Sequence, residues 1–323
     1  MSGRGVLPIV ALAALGVVAC TLPFVASSFH IFQMTQIVVY AIALLGLNLL
    51  TGFNGQISLG HGAFYAIGAY TTAILLAKGG IPYWATIPIA GAVCFGVGFL
   101  FGLPALRLEG PYLALATFAL AVTTPQLLKV TALEKWTGGV QGILVDKPDS
   151  PVGGIVDADQ WLYLLSLVIA LALYLAAWNL LRGRTGRALM AIRDHPIAAA
   201  TMGIDTALYK SLTFGVSALY TGVAGALGAL LAGFVSPDSF SFLLSIDFIV
   251  GVVVGGIASI GGMLFGAAFV TLVPSLAGQI SQAAPWAIYG ALLIVFMILM
   301  PTGVAGLARA AARRLVLARR KTI

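Results

Sequence analysis

From Ile31 through Ala77 the chain carries no Asp, Glu, Lys or Arg, and from Phe248 through Ala308 it again carries none. About 20 predominantly apolar residues suffice to cross the hydrocarbon core of a bilayer, and both stretches are far longer than that. Of the 323 residues, 60% are hydrophobic and only 8% charged, too little polarity to clothe a soluble domain of this size. The chain therefore reads as an integral membrane protein. Membrane barrels need short segments of alternating polarity, whereas these runs are continuous, so the spans are helices. The expected fold class is all-α: a polytopic membrane protein of about ten transmembrane helices, with an inverted repeat and broken helices, in a single transmembrane domain covering residues 1–323.

The first charge-free run is interrupted by Thr51-Gly52-Phe53-Asn54-Gly55-Gln56-Ile57-Ser58-Leu59-Gly60-His61-Gly62. Gly and Asn favour turn and left-handed backbone and should stop a helix here. A loop lying in water would carry charge, and this one carries none. Two arrangements fit. One is a helix broken at or near membrane depth, its backbone sheltered by other helices or lining a wet cavity; the other is a tight inside turn between two ordinary helices. A second glycine-rich stretch, Gly251 to Gly262, lies in the other charge-free run. Ser58-Leu59-Gly60 and Ser259-Ile260-Gly261 occupy similar places in the two blocks. With the first block entering from outside and the second from inside, the pair suggests an inverted repeat.

Charge asymmetry orients the chain. The net charge of +7 sits largely in two clusters that flank apolar runs, which fits the positive-inside rule rather than nucleic-acid binding. Residues 182–210 hold five basic and two acidic side chains, so this segment is expected in the cytoplasm. The tail at 309–323, with six basic residues and no acidic one, is expected there too, as a lipid-headgroup anchor. In residues 129–160 acidic side chains outnumber lysines, so this is expected to be a periplasmic loop, with Trp136 and Trp161 as interface anchors. Val6 to Phe24 is read as the first span, which puts both termini inside. A bacterial lipoprotein signal ending at Cys20 is the alternative use of the same run.

Inside the 182–210 segment, Gly186 to Arg193 can form one short helix. Pro196 can begin a second, with Asp194 as its cap and Gly203 as its stop. Ala198, Ala199 and Ala200 leave that second helix nearly bare, so a partner surface can approach closely. Gly98 with Gly102, and the series Ala218, Gly222, Ala226 and Gly225, Ala229, Gly233, give small residues at four-residue spacing, the pattern of close helix packing. Thr213, Ser217 and Thr221 share a stripe that could line a wet path, but they are expected to bond carbonyls one turn back on their own helix.

The chemistry is sparse. No phosphate-cradling Gly-x-x-x-x-Gly-Lys-Ser/Thr is present, so the chain is not expected to hydrolyse ATP or to act as an enzyme, and no cofactor or metal is expected. No charged side chain falls mid-span, Asp247 lying near an outer end, which weakens a proton-coupled carrier. Ser58 and His61 raise intramembrane hydrolysis. Ser58 lacks the Gly-x-Ser-x-Gly setting, however, and a base three residues away on the same short segment is expected to reach it poorly. His61 is expected to bond backbone freed by the break.

The segment Gly52 to Tyr70 (GFNGQISLGHGAFYAIGAY) closely resembles the signature of LivM-type permeases, the membrane subunits of bacterial ABC importers for branched-chain and other hydrophobic amino acids. Trp136 to Ile143 (WTGGVQGI), Gly186 to Arg193 (GRALMAIR) and Ala198 to Ile204 (AAATMGI) resemble the same family, and the likeness runs from about Ile31 to Gly303. The resemblance implies an inner-membrane permease working with a second homologous permease, two cytoplasmic ATPase subunits and a periplasmic substrate-binding protein. It implies ATPase coupling through Gly186, Arg187, Arg193, Ala199 and Gly203, and binding-protein docking at Trp136, Gly138 and Gly139. Ala198-Ala199-Ala200 lacks the acid of the Glu-Ala-Ala motif found in many importer permeases, which moves the expected contact to Arg187 and Arg193. Gln56, Ser58 and His61 are the expected polar groups of the translocation path. Urea or short amides as substrate, or a stand-alone secondary carrier or channel, are the alternatives.

Overall fold

The computed structural model describes residues 20–105, 108, 110–151, 153, 156–280, 285–307 and 309. The expected first span and basic tail fall almost wholly outside these residues. In chain order the helices are α1 (Ser28–Asn48), α2 (His61–Ala77), α3 (Tyr83–Ala105), α4 (Pro111–Leu128), α5 (Thr131–Thr137), α6 (Ala158–Arg182), α7 (Arg184–Asp194), α8 (Pro196–Thr201), α9 (Thr206–Ala232), α10 (Phe242–Gly255), α11 (Gly262–Ile280) and α12 (Pro285–Leu299). Among the described residues seven helices are long and apolar enough to cross a membrane, while α2 and α10 are apolar but shorter. The protein is thus an all-α, polytopic membrane protein; the count of about ten crossings is not reached within the described residues.

Helix α9 is the centre of the bundle, buried along most of its length. Lipid tails are as apolar as leucine, so helices in a bilayer hold together by close packing and interhelical hydrogen bonds rather than by exclusion of water. The small residues of α9 provide that packing on two faces, as the spacing predicts. Towards α3, a Cβ on Gly98 would stand 3.3 Å from the Gly215 Cα, and one on Gly102 would stand 3.0 Å from the Ser211 Cα. Towards α2, Gly68 meets the Gly222 carbonyl, and a Cβ on Gly225 would stand 3.1 Å from the Ala69 nitrogen. On the hydroxyl stripe, Thr213 and Thr221 bond the carbonyls of Tyr209 and Ser217 on their own helix, at 2.7 and 3.0 Å. Ser217 departs from that expectation and bonds across to α1.

The two glycine-rich breaks lie side by side. Tyr40 packs against Phe248, Leu44 against Gly251, and the Asn48 side chain accepts from the Ala258 N–H at 2.9 Å. Residue numbers on α1 and α10 rise together along these contacts, so the two helices run in the same direction towards their breaks. This corrects the expected inverted sense, in which the second block enters from the opposite side. The loop after α9 turns the chain back, so α10 begins beside Phe240, which itself packs on Tyr65 and Tyr70. In that same loop, just past the C-terminal end of α9, β2 (Phe234–Val235) pairs antiparallel with β1 (Ile143–Leu144), in register Ile143 to Val235, and ties the 129–160 stretch to the bundle.

Candidate functional site

The first break is built by its own sequence. The end of α1 widens into one i→i+5 turn over Leu49–Phe53, and Gly55 then takes φ +76°, open to glycine at no steric cost. The Gln56 N–H donates to the Leu50 carbonyl at 3.1 Å, the Thr51 hydroxyl to the Gln56 carbonyl at 3.1 Å, and the Asn54 side-chain amide to the Gln56 Oε1 at 2.9 Å. An extended segment climbs to Gly60, and α2 begins at His61. Apart from Gly55 and Ile57, the residues from Asn48 to His61 are buried or partly buried, so most of the loosened backbone is enclosed by protein.

Neighbouring helices supply the partners that the chain lost when its helix stopped. The Leu59 N–H donates to the Thr117 hydroxyl of α4 at 2.9 Å, and the Gly62 N–H to the Ser245 hydroxyl of α10 at 2.9 Å. Ser58, His61 and Ser217 form one buried chain. Ser58 Oγ stands 3.0 Å from His61 Nδ1, His61 Nε2 stands 2.6 Å from Ser217 Oγ, and the Ser217 hydroxyl donates to the Gly46 carbonyl at 2.6 Å. Because Ser217 spends its proton on Gly46, it accepts from His61 Nε2–H; Nδ1 then accepts from the Ser58 hydroxyl, which itself accepts from the Gly60 N–H at 3.3 Å. His61 is therefore a neutral tie between α1, α2 and α9. The expectation that it reaches Ser58 poorly is overturned, since the turn into α2 folds one onto the other. The expectation that it bonds backbone is overturned as well, since its partners are hydroxyls. The pair still lacks the means for hydrolysis: Ser58 and His61 are both buried, and both ring nitrogens are engaged.

Beneath the break lie α7 and α8. Gly186 lets α7 turn tightly against the Leu181 carbonyl, and Leu189 and Ile192 seat it on the bundle. Arg193 Nη1 donates to the Gly52 carbonyl at 3.0 Å. Asp194 holds the same guanidinium, at 3.0 Å from Nε and 2.9 Å from Nη2. A Cβ on Gly55 would come 2.8 Å from the Arg193 Cγ, so Gly55 is required by close approach as well as by its φ. Asp194 is thus an ion-pair partner and not the cap of α8; that role goes to His195, whose Nδ1 accepts from the Ala198 N–H at 3.4 Å. Gly203, at φ +83°, follows the second helix where the sequence predicts its end. The outward surface is apolar at Ile197 and Met202, 72% and 83% exposed, with Ala198 and Ala200 beside them, while Ala199 is buried and Arg187 exposed. A cleft of about 160 Å³ runs between the two parts, lined by Asn54, Gln56, Ile57, Leu113, Arg193 and Lys210 among others.

On the opposite side, Trp136 is 56% exposed, with the Lys78 ammonium 5.6 Å from its ring centroid. Gly138 and Gly139, at φ +71° and +56°, turn the chain from α5 towards β1. Of the expected path residues, Gln56 lines the cleft, whereas Ser58 and His61 are enclosed. Ser217 is legible only as part of its stripe, and Asn48, Thr117 and Ser245, which help hold the break, escape a sequence reading. Their only signal is a polar atom in an apolar helix.

Residues 30–301 match the protein family described as "Branched-chain amino acid transport system / permease component". The chain is 34% identical over 322 residues to the high-affinity branched-chain amino acid transport system permease protein LivM of Salmonella typhimurium, covering 92% of this chain and 75% of that protein. It is equally similar, with the same coverage, to LivM of Escherichia coli. To LivH of Escherichia coli it is 24% identical, over 83% of this chain and 91% of that protein. The glycine-broken helix, the paired short helices beneath it and these likenesses agree: the chain belongs to the family of permease components of branched-chain amino acid transport systems.

Proposed function

We propose that this chain is the membrane-spanning permease subunit of an ATP-driven importer in the bacterial inner membrane. It forms, with a second homologous permease, the path for branched-chain and other hydrophobic amino acids handed over by a periplasmic binding protein. The names of the relatives support the substrate class, and likeness to both LivM and LivH supports a paired permease. Both termini and the 182–210 segment lie in the cytoplasm, and the 129–160 loop in the periplasm. The basic tail meets lipid headgroups.

The observation that most favours this reading is the bond from Arg193 to the Gly52 carbonyl. It joins exposed helices of docking character to the broken backbone of α1. One of the two ATPase subunits docks on α7 and α8, with the apolar knob of Ile197 and Met202 seated in it and Arg187 at the rim, while the other docks on the second permease. Gly186 and Gly203 shape the ends of the docking unit, and buried Ala199 fixes it on the bundle. When the ATPases close on ATP, α7 moves, and Arg193 carries the motion to the break. The loaded binding protein docks outside on the loop presenting Trp136, shaped by Gly138 and Gly139. At the inner end of the path Gln56 meets the polar head of the solute, while Ser58 and His61 hold the backbone that Gln56 stands on.

The test is purification from the native membrane in mild detergent, followed by reconstitution. The chain is expected to bring two ATPases and a second permease with it, and the complex to take up leucine only with ATP and binding protein present. A chain that comes out alone, and by itself accumulates leucine in liposomes against a gradient, refutes the proposal.

A further inference from the structure

Asn48 sits at the end of α1, fully buried in an apolar stretch. Both ends of its side-chain amide are used, and both on the second break: Nδ2 donates to the Ser259 carbonyl at 3.1 Å, and Oδ1 accepts from the Ala258 N–H at 2.9 Å. Ala258 has φ +58°, the one non-glycine residue in that region among the described residues. An L residue adopts this conformation rarely, and its surroundings must hold it there. Asn48 is in position to do so, since it holds the Ala258 N–H at one end of the Ala258–Ser259 pair and the Ser259 carbonyl at the other. Gly52 completes the contact: a Cβ there would run into Asn48 Oδ1 and stand 2.7 Å from the Ala258 nitrogen. The carbonyl of that same Gly52 receives Arg193. Arg193, Gly52, Asn48 and the Ala258–Ser259 turn therefore form one continuous chain of contacts from the cytoplasmic helices to the junction of α10 and α11.

We propose that Asn48 is a coupling residue of the importer: it makes the second break follow the first when α7 is displaced, so that α10 and α11 move with α1 and α2. A motion arriving at Gly52 has two outlets. One runs along its own chain into Gln56 and α2; the other crosses through Asn48 into the second break. Two other hydrogen bonds join the units, Gln33 to Ser275 and the Gly62 N–H to the Ser245 hydroxyl, but neither touches the Ala258–Ser259 turn; without the Asn48 crossing that turn loses its grip from α1, and the two breaks respond separately. Asn48 touches no solute, and it acts by positioning Ala258. This inference rests on the reading that an ATPase docks on α7 and α8.

The test uses the assembled importer with its ATPases, in nanodiscs. Amide hydrogen exchange is followed over 49–56 and over 256–262, with and without a non-hydrolysable ATP analogue. In the unaltered complex both segments are expected to change protection together. In Asn48→Leu, 49–56 is expected to respond still, the response of 256–262 to be largely lost, and leucine uptake per ATP hydrolysed to fall about tenfold, within the span of typical coupling energies. A 256–262 segment that stays silent in the unaltered complex while 49–56 responds overturns the inference, whatever the variant does, so a variant that fails to assemble leaves the question decidable. Unchanged uptake per ATP in an assembled Asn48→Leu complex overturns it as well. If no ATPase binds, or if 49–56 itself ignores the nucleotide, the docking reading fails, and this inference with it.

Discussion

Reversing the charge at Arg193 strikes the junction between the short helices α7 and α8 and the break. In the native chain the guanidinium gives Nη1 to the Gly52 carbonyl at 3.0 Å and two further nitrogens to Asp194. A hydrogen bond to a charged group is worth ~1.5–3 kcal/mol. The Asp194 pair, with side chains 34% and 69% exposed, adds no more than ~0.5 kcal/mol. Arg193→Glu removes both and turns a carboxylate towards a carbonyl oxygen and a second carboxylate, so the junction loses about 2–3 kcal/mol. The loss is local: Leu189 and Ile192 still seat α7, and the packing of α9 is untouched. Assembly should survive. If all of that energy serves coupling, it corresponds to roughly 30–150-fold in the ratio of solute moved to ATP spent. Proteoliposomes holding the complete importer, scored for leucine uptake and phosphate release in the same sample, measure that ratio. Arg193→Lys, which keeps the charge but cannot serve Gly52 and Asp194 together with one fork, should fall between the two. An Arg193→Glu importer that assembles and transports with the native ratio refutes the role given to this side chain.

Three further perturbations probe other parts. Ser217→Ala leaves His61 Nε2–H without its acceptor in a site sealed from water, and should cost ~2 kcal/mol, more than the ~0.6 kcal/mol of an average interhelical bond in membranes. A fall of several degrees in the detergent-solubilised melting temperature is expected, and an unchanged melt would mean that the imidazole finds another partner. Gly68→Ala drives a methyl into the Gly222 carbonyl and should cost at least ~1–3 kcal/mol, whereas Gly96→Ala, with nothing within 4 Å, should be neutral; thermal unfolding of the pair tests the packing of α2 on α9. Trp136→Ala, at an exposed site, should weaken binding-protein docking about tenfold or more, read by titrating binding protein against stimulated ATP hydrolysis, with the unstimulated rate unchanged.

Helical spans, the break at Gly52 to Gly60, the short helices around Pro196 and the close-packing glycines were legible in the sequence, because each is governed by local rules. A charge-free run must find lipid or protein, Gly and Asn loosen a helix wherever they fall, and four-residue spacing puts small side chains on one face whatever that face meets. The sequence also carried the family, through continuous motifs. What it could not carry is which hydroxyl answers which orphaned amide. Ser217 and Thr221 look alike on α9, yet one bonds its own helix and the other reaches α1, a choice made by how closely Gly46 approaches. Asp194 looks like a cap until Arg193 is seen to hold it. The sense of the two breaks was equally out of reach, since like motifs suit either orientation; only the parallel run of α1 beside α10, and the reach of Asn48 to Ala258, decide it. Long-range pairs of this kind are set by the shape of the finished bundle, where an enclosed polar atom must take the partner that packing brings to it.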